Sequence, residues 1–194
     1  MAFKISDSGR KAAEGGKGGG FLSVSKLGDG EEYRLAIVSE EPLESWTVWG
    51  ELDEKKKPFR FTSEPDAEDI LAELGDYQQR MTYEGDKLEP PKFSIAFFVY
   101  DYQDGQIKVL EIPQKTLIKE IDKLSNDEDY QNLHDWDLKF SRSGLKLETK
   151  YSILPCPRKE GSQEKISEAW AEALTAGCDI NALLTGDSPF GEKL

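Results

Sequence analysis

The chain has 194 residues, a net charge of −13 and 37% hydrophobic residues, which suits one domain with appendages around a small core. No run approaches the roughly eighteen apolar residues of a membrane span, and no secretory signal is expected at the N-terminus. Two cysteines, Cys156 and Cys178, and one histidine, His134, cannot complete a structural zinc site, so we expect free thiols, a cytoplasmic setting, no metal and no cofactor.

In chain order, residues 1–20 are glycine-rich and weakly cationic and are expected to be disordered. Strands are predicted at Tyr33–Ser39 and Trp46–Leu52. A charged turn, DEKKK, then leads into a third strand at Phe59–Thr62. The cluster Ser63–Asp66 starts a helix that presents Ile70, Leu71 and Leu74 on one face, with Gly75 as its stop. After a loop at Gly85–Pro91, Phe93–Tyr102 and Gln106–Ile112 read as strands, because Asp104-Gly105 between alternating runs is a strong hairpin signal.

Apolar or aromatic residues fall on both faces of Phe93–Tyr102. One set can build a core, and the other is expected to leave rings open for a stacking partner. Lys115–Leu124 follows as a helix with Leu117, Ile118, Ile121 and Leu124 inward. Trp136–Arg142 and Lys146–Leu154 form a last hairpin, with Ser143-Gly144 at its turn, and Pro155, Cys156 and Pro157 end the sheet. A closing helix carries Ile166, Trp170 and Leu174. The expected class is mainly β with helices: an elaborated small barrel of the OB type over 21–159, then an acidic helix and tail over 160–194.

Charge is segregated. Lys139, Arg142, Lys146, Lys150, Arg158 and Lys159 face only Glu148 between Leu138 and Lys159, whereas the segment from Glu160 onward is acidic. Such a cationic groove on an acidic body suits a nucleic-acid partner. Single strands fit best, because each base has a π-face for a ring and each phosphate a charge for Lys or Arg. The candidate binding residues are Trp46, Trp49, Lys57, Phe59 and Arg60 in the early strands. Tyr100, Tyr102 and Lys108 follow in the central hairpin, and Lys139, Arg142, Lys146 and Lys150 in the last one. Trp46 and Trp49 point to opposite faces, one toward core and one toward a base. Lys139, Lys146 and Lys150 oppose the apolar face of their hairpin, a pattern that a plain sheet with one wet side shares. There is no phosphate loop, nucleophile elbow or HExxH, and no enzymatic activity is expected.

The pieces Val99-Tyr100-Asp101-Tyr102, Ile107 to Thr116, Asp135-Trp136-Asp137-Leu138 and Gly144 through Thr149-Lys150-Tyr151 lie in a suggestive order. Over roughly 33–155 this pattern resembles the single-stranded DNA-binding proteins of tailed phages. The resemblance implies an OB-type fold and a role in replication, recombination or repair. It also implies an acidic C-terminal region able to meet replication or recombination proteins. The alternative that the net charge favours is an acidic interaction protein that imitates DNA or inhibits a nucleic-acid-binding protein.

Overall fold

The structure, a computed structural model, describes residues 20–130 and 132–191. The disordered N-terminus expected over 1–20 lies outside these residues except for Gly20. Among the described residues the architecture is mixed α/β, a nine-stranded sheet with four α-helices. The strands are β1 (Phe21–Leu22), β2 (Glu32–Ile37), β3 (Leu43–Leu52), β4 (Lys55–Phe61), β5 (Gln78–Gln79), β6 (Lys92–Asp101), β7 (Gln106–Ile112), β8 (Trp136–Ser143) and β9 (Lys150–Pro157). The helices are α1 (Ala67–Leu74), α2 (Lys115–Ser125), α3 (Gln163–Thr175) and α4 (Ala182–Thr185).

The central strand β6 organises the sheet. One edge pairs with β7 from Ile95 to Asp101. The other edge is shared: β3 takes Lys92–Ala96, and β2 takes Val99–Asp101. The main path runs β1-β7-β6-β2-β8-β9, and β3 carries β4 and β5 as a branch. Among the described residues only β1 pairs in parallel. The sheet is not closed on itself.

Alternation along β6 sorts its side chains into two environments. Ile95, Phe97 and Val99 face the main core with Leu35, Leu110, Leu138 and Phe140. Helix α2 covers that core, burying Leu117 and packing Ile118, Ile121 and Leu124 against it. Ala96, Phe98 and Tyr100 face the other way and are equally buried, so the expectation of open rings on this face is corrected. Ile166 and Trp170 of α3, with Leu183 and Phe190 beyond it, cover them.

Helix α1 follows its sequence signals closely. Asp66 Oδ1 accepts from the backbone N–H groups of Glu68 and Asp69 at 2.9 Å each, a capping box that satisfies donors the helix leaves free. Ile70 and Leu74 pack against Val48 and Phe59, but Leu71 is 73% exposed, a correction to its inward placement. Gly50 admits this packing, since a Cβ there would meet the Phe59 ring at 2.8 Å and Leu74 at 2.9 Å.

Other elements differ from their sequence-based bounds. Lys55, Lys56 and Lys57 belong to β4 rather than to a turn, because Asp53 and Glu54 alone reverse the chain with φ of 46° and 66°. The last hairpin closes through a 3-10 turn at Lys146–Glu148, which leaves Lys146 off the strand and Leu147 fully exposed. Strand β9 continues through Pro155 to Pro157. Among the described residues it pairs only with β8, and an edge strand tolerates proline because its outward positions need no N–H donor.

Candidate nucleic-acid interface

The outward face of β6 continues onto β2, β8 and β9; Ile166 of α3 still covers Ala36 of β2, and beyond that residue the face opens. Register places Arg34 opposite Lys139, Ala36 opposite Asp137, Ser141 opposite Ser152 and Lys139 opposite Leu154. Directly opposed residues share a face, so Arg34, Lys139, Ser141, Lys150 and Leu154 line one open flank. The expected wet, cationic side of the last hairpin is therefore present for Lys139 and Lys150. Lys139 also pairs with Glu32 at 3.1 Å across the β2–β8 junction.

At the inner margin of this flank, Asp137 is fully buried and gathers cations around it. Arg34 Nη2 lies 2.7 Å from Asp137 Oδ2, and Arg158 Nη1 lies 3.5 Å from Oδ1. The Tyr102 hydroxyl donates to Asp137 Oδ1 at 2.9 Å and meets Ser162 Oγ at 2.9 Å. The backbone N–H of Lys159 donates to Asp137 Oδ2 at 3.1 Å. A buried carboxylate needs such partners, because desolvation without them costs several kcal/mol by order of magnitude.

Asp137 in turn fixes the flat faces beside it. The Arg34 guanidinium stands 5.5 Å from the centre of the Tyr102 ring, and Lys159 Nζ stands 5.9 Å from it. Burial works against the Arg34 charge, but the hydrogen bond and charge of Asp137 outweigh it and raise its pKa. Burial also raises the Tyr102 phenol; the Ser162 hydrogen bond opposes this, and the Asp137 bond adds to it. Tyr102 therefore stays a neutral donor, and Arg34 a firmly charged plane. Arg34 and Arg158 outnumber the single acid they share, and the Lys159 ammonium adds a further positive charge beside Tyr102.

The other predicted residues separate into different places. Trp49 lies on the branch, half-buried, with the Arg80 guanidinium 5.6 Å from its ring. Trp46, also half-buried, meets Phe93 edge-on at 5.6 Å on the opposite face. Lys57 is exposed with its Nζ 4.8 Å from the Phe59 ring, while Phe59 itself is buried under α1.

Arg60 is spent inside the fold: its side chain is 8% exposed and reaches Glu111 at 3.0 Å. The Ser94 hydroxyl donates to the same carboxylate at 3.3 Å. Tyr100 is buried at 7% exposure under α3. Lys108 is buried between Asp101 at 2.8 Å and Asp104 at 2.5 Å. Burial opposes its charge, but those two acids outweigh it and raise its pKa. Arg142 donates to the backbone carbonyls of Leu27 at 2.6 Å and Ser25 at 3.2 Å, so it ties the N-terminal turn to β8.

Tyr100, Phe59, Lys108, Arg60 and Arg142 are thus engaged within the fold, and of the predicted set only Tyr102, Lys139 and Lys150 share the open flank. Sequence reasoning passed over Arg34; it counted Arg158 and Lys159 in the cationic segment but not among the candidate binding residues. Register sets Asp137 between Ala36 and Cys156, so its cations come from two residues before the one, Arg34, and two residues after the other, Arg158; the sequence signal for them is an acid at a strand position of a cationic hairpin. Among the described residues no group of three or more His, Cys, Asp or Glu side chains is arranged to hold a metal ion, and no helix is long and apolar enough to cross a membrane. No protein-family model, curated protein or solved structure matches the chain.

Proposed function

We propose that the protein binds single-stranded DNA without sequence preference, and that the open flank of β2, β8 and β9 is its interface. The observation that carries this reading is the Arg34–Tyr102–Lys159 stack held in place by buried Asp137. It lies beside Lys139 and Lys150 on a sheet face that opens to solvent among the described residues. A guanidinium plane and a ring edge suit an unpaired base, and the lysines suit the phosphates on either side. Leu154, 62% exposed on the same face, adds an apolar surface for a base or sugar.

Under this reading the shared-edge sheet with its interposed α2 is an elaborated OB-type fold, and the role is protection of single strands in replication, recombination or repair. Neutralisation of phosphates releases counterions, so affinity falls steeply with salt. The rival reading, an acidic protein that occupies another protein's DNA-binding cleft, draws on the net charge of −13.

One experiment decides between them: fluorescence anisotropy with labelled oligo-dT and with a matched duplex over a salt series. Tighter binding of oligo-dT is expected. Equal affinity for the two, or no binding to either at low salt, overturns the proposal.

A further inference from the structure

A second concave surface lies on the other side of α3. A groove of about 810 Å³ opens between the β2–β3 connection and the C-terminal end of α3. This size is within the range of about 300–1,000 Å³ common for ligand clefts. Phe98 and Trp170 form its base, packed with ring centroids 5.3 Å apart. Leu174 extends the apolar strip along α3 and is 52% exposed. Glu40, Glu41, Glu44 and Asp179 stand around it, and among the described residues no Lys or Arg lines the groove. Among the described residues none of these four acids has an ion-pair partner.

These features select the occupant. Four unneutralised carboxylates repel phosphate, so the groove is no extension of a DNA path. An exposed leucine beside a tryptophan calls for an apolar anchor, and the surrounding acids call for cations next to that anchor. We propose that the groove docks a basic peptide segment of a partner protein, one that carries an aliphatic or aromatic residue between its lysines or arginines. Leu174 and Trp170 receive the anchor, and Glu40, Glu41, Glu44 and Asp179 receive the charges. The anchor provides most of the affinity, whereas exposed charge pairs at a rim mainly provide rate and selectivity. This inference does not rest on the DNA-binding reading, because the two surfaces share no residue.

The test uses the full chain and two fluorescein-labelled peptides of equal charge, KKLKWLKK and KKGKGGKK, in anisotropy titrations at physiological salt. The anchored peptide is expected to bind about tenfold or more tightly than the glycine peptide, as expected of a desolvated anchor. Two variants probe the site separately, Glu40→Lys with Glu41→Lys at the rim and Leu174→Gln on the strip. All three positions are exposed, and unchanged melting temperatures are expected. Each variant should weaken KKLKWLKK by about fivefold or more, on the order of one anchor or two rim charges. Equal binding of the two peptides would show only diffuse attraction to an acidic body and would overturn the proposal. So would unchanged binding of KKLKWLKK by both folded variants.

Discussion

The rings of Phe98 and Trp170 meet with their centroids 5.3 Å apart, and Phe190 reaches Phe98 at 6.2 Å. One aromatic residue of the central strand therefore holds both the closing helix and the segment that follows it. The acidic C-terminal region is part of the packing of this protein, with its charges outward and its apolar side chains on the sheet.

This packing makes the C-terminal segment costly to remove. Leu183 is 4% exposed against the cluster around Phe98. Leu183→Ala is expected to lower stability by about 2–4 kcal/mol, through lost transfer energy and the cavity left behind. Deletion of residues 179–194 should cost more. Urea denaturation followed by tryptophan fluorescence measures both. A truncation as stable as the full chain would mean that the segment rests on the sheet without stabilising it.

Gly50 offers a sharper test of the branch. An added methyl would meet the Phe59 ring at 2.8 Å and Leu74 and Tyr77 at 2.9 Å. Gly50→Ala should destabilise by about 1–3 kcal/mol, the usual cost of overpacking. Gly30, with no atom within 4 Å of the same point but a φ of +77°, isolates backbone strain from crowding. A melting temperature unmoved by Gly50→Ala would refute the close approach of α1 to β3.

Glu89 predicts a pH dependence. Burial by itself raises its pKa, but hydrogen bonds and charges from Lys92 and Arg80 outweigh burial, and the net shift is downward. A carboxyl lowered in the folded state contributes stability above its unfolded pKa and loses it as pH falls through the folded value. The stability gap between the native protein and Glu89→Gln should therefore be full at pH 7. It should shrink below the ordinary carboxylate range. Denaturant midpoints at about pH 7 and about pH 3, bracketing the titration, provide the comparison. A gap that persists undiminished at the acid end would contradict the assignment.

The flank residues separate charge from stacking. Lys139→Gln and Lys150→Gln should each reduce the salt slope for oligo-dT by about 0.7, the value per phosphate contact on a single strand. Lys139 also neutralises Glu32, so its loss should weaken binding more than that of Lys150. Tyr102→Leu should weaken binding by about 1–3 kcal/mol and leave the slope nearly unchanged. If the paired lysine change alters neither affinity nor slope in a folded protein, this flank is a solvated sheet face only.

Sequence by itself determined the local order of this protein. Alternation placed β6, β7 and β8, helical spacing placed α2 and α3, and the cluster Ser63–Asp66 marked the start of α1. It also identified a hairpin with one cationic side, visible in Lys139 and Lys150. These signals are local, set by side-chain period and by hydrogen bonds a few residues apart.

Only the tertiary structure decided which exposed-looking groups were free. Tyr100 alternates as Tyr102 does, yet one lies beneath α3 and the other at its margin. Lys108 and Lys139 are both strand lysines, yet Asp101 and Asp104 enclose the first while the second opens to solvent. Asp137 draws Arg34 from β2 and Arg158 from beyond β9, partners separated by long stretches of chain. Burial and ion pairing depend on which segments the chain returns to the same place. No periodicity along the sequence records that return.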